Sequence, residues 1–133
     1  MNPVTHGLIG WMAANAGGPT RRDRALIAFA GVAPDADGFG FFTQAIRESN
    51  DWFTRFHHVL GHNIGFGMVL TAAGFAFASK GRRWRTAAWV LVSFHLHLFG
   101  DFVGGRGPDD SWPIPYLLPF ANPEGWRFAW EHQ

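Results

Sequence analysis

Residues 85–102 read RTAAWVLVSFHLHLFGDF: one arginine, fifteen residues without a formal charge from Thr86 to Gly100, then Asp101-Phe102. A run of that length, free of formal charge and followed by glycines, specifies a helix over about 85–102. His97 and Asp101 stand four apart on it, about 40° around a regular helix, so both point to one side and can share a cation. Three further stretches lack Asp, Glu, Lys and Arg: Met1–Thr20, Ala25–Pro34 and Phe56–Ser79. Leu8, Ile9, Trp11 and Met12 recur at helical spacing between Thr5 and Ala16, before the stop at Gly17-Gly18-Pro19. Asp23 is placed to cap a second helix over Arg24–Ala33, which Pro34 ends. A third helix is expected from about Asp51 or Trp52 to Ser79, and shorter helical pieces near Phe42–Glu48 and Glu124–Glu131. The five prolines between Gly104 and Pro123 make that stretch a loop wrapping the body. The expected fold is all-α, a compact up-and-down bundle of about four helices with a Pro/Gly-rich C-terminal loop.

At 133 residues, with 47% hydrophobic and 16% charged side chains, the chain can bury one core, and residues 1–133 are expected to form one domain. It has no cysteine, so disulfides, thiolate nucleophiles and Cys-based metal sites are excluded, and any metal must be held by imidazole and carboxylate. A net charge of +1 argues against a uniformly basic coat for nucleic acid. The N-terminus does not read as a secretory signal, because its charges follow the apolar segment.

The cations are clustered, in Arg21-Arg22-Asp23-Arg24 and in Lys80-Gly81-Arg82-Arg83-Trp84-Arg85. In an up-and-down bundle both runs lie at one end, the asymmetry of an end that faces the cytoplasm; a solvated basic end on a soluble bundle has the same appearance. The charge-free run 56–79 is long enough to cross a bilayer, whereas the other three helices look short, and a mean hydropathy of -0.03 leaves both readings open. If the chain is embedded, the opposite end lies on the non-cytoplasmic side.

That opposite end is where the imidazoles and carboxylates gather. His6 opens the first helix, Asp35 and Asp37 follow the second, His57, His58 and His62 open the third, and His95, His97 and Asp101 close the fourth. Four helix termini each bringing His or Asp make the arrangement a bundle uses for a metal site. A lone Asp-x-Asp reads more readily as a capping turn, and a lone histidine as a hydrogen-bonded core residue. Several together would be costly to bury without a cation. His58 and His62 share a helix face, whereas His57 and His62, about 140° apart, meet only if the helix starts after His57. The aromatic residues read as packing.

With His57-His58-Val59-Leu60-Gly61-His62 and His97-Leu98-Phe99-Gly100-Asp101 in view, the chain resembles the bacterial membrane-bound metal-dependent hydrolase family. Thr5-His6, Pro34-Asp35-Ala36-Asp37, Trp112-Pro113 and Pro119-Phe120 match its remaining motifs in order, over most of the chain. His58 stands where that family has Arg, Gly61 where it has Thr, and Asn63 where it usually has Ser. The resemblance implies His57 with His62 as the paired positions and an inner-membrane location. A more distant similarity to zinc-dependent phospholipase C implies a phosphoester substrate, small or lipid-derived.

The expected metal ligands are therefore His6, Asp35, Asp37, His57, His62, His97 and Asp101, with His58 and His95 as proton-transfer residues. Arg106, with Asp109 and Asp110, lies in a loop able to cover the site. Zinc suits the mixed His/Asp donors, and manganese or iron accept the same set. The expected activity is metal-dependent hydrolysis; the rival reading is a non-catalytic helical membrane or scaffold protein whose cluster is structural. A nucleic-acid partner fits poorly, two short Arg runs being more often solvated or headgroup-facing.

Overall fold

In the structure, a computed structural model, residues 2–39, 59–104 and 114–121 are described. The expected helical pieces at 42–48 and 124–131, and the first residues of the third expected helix, lie outside them. Among the described residues there are four α-helices, α1 (Pro3–Gly17), α2 (Arg21–Ala30), α3 (Ile64–Phe77) and α4 (Arg83–Gly104), with a 3-10 helix over Ala33–Phe39. The fold is all-α, and α4 packs against each of the other three helices.

The helix starts are set by side-chain caps. Asn2 accepts from the Thr5 N–H at 2.9 Å, and Pro3 occupies the first turn, where its missing N–H costs nothing. α2 begins three residues earlier than expected because Thr20, not Asp23, is its cap: Thr20 Oγ1 accepts from the Asp23 N–H and donates to Asp23 Oδ2 at 2.7 Å. That helix stops at Ala30, and bonds from Gly31 to Ala28 and from Val32 to Phe29 tighten the chain into the 3-10 geometry that carries Asp35.

The third helix departs most from expectation. It starts at Ile64, not near Asp51, because Asn63 caps it by accepting from the Phe66 N–H at 2.9 Å while its amide donates to the Val59 and Leu60 carbonyls. The Ile64 and Gly65 N–H groups donate to the carbonyls of Tyr116 and Leu118, so the described part of the proline-rich tail closes over this helix end. α3 has 14 residues, about 21 Å, and by its helical length alone falls short of crossing a hydrocarbon core of about 30 Å. Among the described residues the helix long and apolar enough to do so is α4, whose 22 residues span about 33 Å. The expectation that 56–79 was the long segment and the fourth helix too short is thus reversed.

Ala13, Ala14, Ile27, Ala30 and Val90 form the packed core between α1, α2 and α4. Small residues let backbones touch: a Cβ on Gly31 would lie 2.6 Å from the Gly10 Cα, so the end of α2 rests directly on α1. At the Arg-rich end, buried Asp23 ties the two hairpin turns together. Its Oδ1 accepts the Ser79 N–H at 2.9 Å, and Thr20 and Ser79 hydroxyls meet at 2.9 Å. Burial alone would raise the Asp23 pKa, but these hydrogen bonds, with the Thr86 hydroxyl, outweigh it and lower it below the ordinary aspartate value.

Polarity is inverted relative to a water-soluble bundle. α1 exposes Val4, Leu8, Trp11 and Met12, and α4 exposes Val92, Leu96, Phe99 and Val103, each set at the i, i+4, i+7 spacing of one helix face. His6, Asp23, His62, Ser93 and His97 are at most 1% exposed.

Candidate metal centre

The far end of the bundle gathers six of the seven expected ligands. His6 comes from the first turn of α1, Asp35 and Asp37 from the 3-10 helix, His62 from the bend before α3, and His97 and Asp101 from α4. His57, the seventh, lies outside the described residues, as do His58, Arg106, Asp109, Asp110 and Trp112-Pro113.

Each of the three clustered imidazoles is held by one ring nitrogen. His6 Nδ1 lies 3.0 Å from Asp35 Oδ2, His62 Nδ1 lies 3.1 Å from Asp37 Oδ2, and His97 Nδ1 donates to the Gly31 carbonyl at 2.8 Å. The other nitrogens converge. His62 Nε2 and His97 Nε2 are 3.1 Å apart and stand 3.2 and 3.1 Å from Asp101 Oδ2, while His6 Nε2 is 3.2 Å from Asp101 Oδ1. His6 Nε2 is buried and makes no well-directed hydrogen bond. The His6 and His97 rings overlap, with centroids 3.7 Å apart.

A carbonyl only accepts, so His97 carries its proton on Nδ1 and, when neutral, presents a bare lone pair at Nε2. His62 does the same if Asp37 is ionised. Two lone pairs and a carboxylate oxygen within about 3.2 Å repel one another unless positive charge lies among them. Protons or a cation can supply it. Tetrahedral donors at about 2.0–2.1 Å from zinc are separated by about 3.3 Å, close to the 3.1–3.2 Å between His62 Nε2, His97 Nε2 and Asp101 Oδ2. Burial lowers the His62 pKa, but its contacts with Asp101 and Asp37 and their charges reverse that and raise it. A proton and a divalent cation thus compete for the same point.

Two partitions of the donors are geometrically available. In one, three Nε2 atoms and Asp101 face the centre while Asp35, Asp37 and the Gly31 carbonyl orient the rings from behind, the usual support for a ligating histidine. In the other, Asp35 joins directly: His6, Asp35, His97 and Asp101 offer donor atoms all within 4.8 Å of one another, and Asp35 Oδ1 is 3.7 Å from His97 Nε2. Asp35 is also the most solvent-exposed of these side chains, at 15%.

Sequence reasoning misplaced two features. His95, expected in proton transfer, stands about 200° around α4 from His97; it donates from Nδ1 to the Leu91 carbonyl at 2.8 Å and accepts at Nε2 from the Tyr116 hydroxyl at 2.8 Å, away from the cluster. The helical pairing of His58 with His62 loses its premise, because His62 precedes the helix. It missed the Gly31 carbonyl and the Gly61 N–H, which donates to Asp37 Oδ2 at 3.0 Å. Both are backbone groups, invisible to a reading by side-chain type. Gly61 is held so close to Pro34 that a Cβ would stand 2.8 Å from the Pro34 Cα, which accounts for a glycine at this position.

The sequence profile of the YdjM inner membrane protein family matches residues 1–132. No curated protein and no solved structure gives a significant match.

Proposed function

The chain belongs to the YdjM inner membrane protein family, and from that premise we propose that it is a metal-dependent hydrolase of phosphoesters, with its His/Asp cluster as the metal site. The observation that carries this reading is the convergence of three imidazole Nε2 atoms on one buried carboxylate, each ring fixed from behind. A divalent ion held there would lower the pKa of a coordinated water and polarise a scissile bond. His6, His62, His97 and Asp101 would hold the ion. Asp37 and the Gly31 carbonyl keep two of the rings in the ligating tautomer, and Asp35 Oδ1, on the accessible side, is placed to take a proton from an entering water.

The test is metal analysis of the detergent-purified protein, followed by a panel of small and lipid phosphoesters with zinc, manganese or iron(II) loaded. Stoichiometric metal and turnover, both lost in Asp101→Asn, support the proposal. Metal without turnover favours the second reading, a structural site, for which the near-complete burial of three imidazoles speaks. Absence of stoichiometric metal removes both.

A further inference from the structure

We infer that this bundle lies within the lipid bilayer with its Arg-rich end at the cytoplasmic surface and its His/Asp cluster at the periplasmic one, the exposed faces of α1 and α4 being covered by acyl chains. The inference stands apart from the hydrolase proposal, since it needs no metal.

Val4, Leu8, Trp11 and Met12 on α1 and Val92, Leu96, Phe99 and Val103 on α4 are 38–72% exposed, an apolar surface on two elements that water would not favour. The groups that prefer water are instead inside, as in membrane bundles whose ionisable residues face the interior. α4 fixes the depth. Asp101 lies 18 residues beyond Arg83, about 27 Å along the helix axis, so charges at its two ends fall near the two boundaries of a hydrocarbon layer of about 30 Å. Trp84 stands at the first boundary, 81% exposed, edge-on to Phe75 at 4.7 Å, with the Arg83 guanidinium 5.7 Å from the same ring; an amphipathic aromatic beside a cation is the signature of a headgroup layer.

Charge sets the direction. Arg21, Arg22, Arg24, Lys80, Arg82, Arg83 and Arg85, seven of the eleven cations, lie at the start of α2 and at the turn into α4, the end tied together by Asp23. Arg47, Arg55, Arg106 and Arg127 lie outside the described residues. Among the described residues Asp23 is the only acidic one near the basic group, and it is buried; His6, Asp35, Asp37, His62, His97 and Asp101 mark the other end. Lys and Arg are retained on the cytoplasmic side, where anionic headgroups also complement them. A ligand reaching the cluster would then arrive from the periplasm or the outer leaflet of the inner membrane.

The absence of native cysteine makes the test direct. Single cysteines are placed at exposed positions in the full chain: Arg82→Cys at the basic end, Leu60→Cys two residues before His62, and Trp11→Cys and Phe99→Cys on the apolar faces. They are then treated with a membrane-impermeant maleimide. In intact spheroplasts Leu60→Cys should label and Arg82→Cys should label only after lysis, while Trp11→Cys and Phe99→Cys stay protected until detergent is added. The reverse pattern for Leu60 and Arg82 overturns the orientation. Labelling of Trp11→Cys and Phe99→Cys in intact membranes, release of the chain by alkaline carbonate, or oxidative dimers through those two cysteines overturns lipid as the covering partner.

Discussion

Stripping the detergent-purified protein with a chelator and titrating zinc back should raise its unfolding midpoint, and the size of the rise follows from the cluster. His62 Nε2, His97 Nε2 and Asp101 Oδ2 already stand 3.1–3.2 Å apart, and His6 Nε2 lies 3.2 Å from Asp101 Oδ1, so binding requires little rearrangement of the folded chain, whereas an unfolded chain offers no assembled site. An ion at a thousand times its dissociation constant stabilises the folded state by about 4 kcal/mol. A chain of 133 residues has an unfolding entropy of about 0.28 kcal/mol/K, so the midpoint should rise by about 15 °C. Near-UV circular dichroism or intrinsic fluorescence from the seven tryptophans reads the transition. His62→Gln and His97→Gln should each lose most of the shift, and His95→Gln, whose ring faces Tyr116, should keep it. Because the surrounding carboxylates raise the His62 pKa, protons occupy the site more fully as pH falls, and the zinc-dependent shift should shrink between about pH 7 and pH 5. No shift in the wild type, or equal shifts in wild type, His62→Gln and His97→Gln, refutes the placement of an ion among these groups.

Asp37→Asn should weaken zinc about 10–100-fold in a chelator competition, the cost of loosening one orienting group, while Asp101→Asn should abolish stoichiometric binding; equal losses would mean that Asp37 is itself a ligand. Gly61→Thr should destabilise the fold by about 1–3 kcal/mol in thermal or denaturant unfolding and reduce zinc content with it, since the added side chain meets Pro34 and pushes His62 off Asp37. Asp23→Ala removes a buried carboxylate and leaves the Ser79 N–H without its partner, and should lower the midpoint by about 10 °C, or about 3 kcal/mol. The folded-state pKa of Asp23 lies below its unfolded value, so the carboxylate stabilises fully above about pH 4 and the difference between wild type and Asp23→Ala should vanish as pH falls through the folded-state value.

The gathering of His6, Asp35, Asp37, His62, His97 and Asp101 was legible because it needs only the order of apolar runs and the alternation of helix direction in an up-and-down bundle. Helix boundaries were less so. Apolar periodicity carries no signal for the Asn63 cap, whose bonds to Val59 and Leu60 hold the chain out of helix, and the same blindness made 56–79 look like the long segment. Thr20 and Asp23 are both cap formers three residues apart; which one caps depends on the Ser79 N–H that claims Asp23, a contact 56 residues away in sequence. His95 and His97 are alike in composition, and only the packing of α4 assigns one to the cluster and the other to Tyr116.

The six clustered groups, ligating and orienting together, divide evenly between the two hairpins. His6, Asp35 and Asp37 arrive with α1 and α2, and His62, His97 and Asp101 arrive with α3 and α4. Neither half can complete the centre alone. An ion seated there would act as a removable cross-link between the halves, at the end opposite the Asp23 tie, in a chain that has no thiols with which to make a permanent one. Two fragments divided between the hairpins would therefore be expected to reassociate with an affinity governed by free metal concentration.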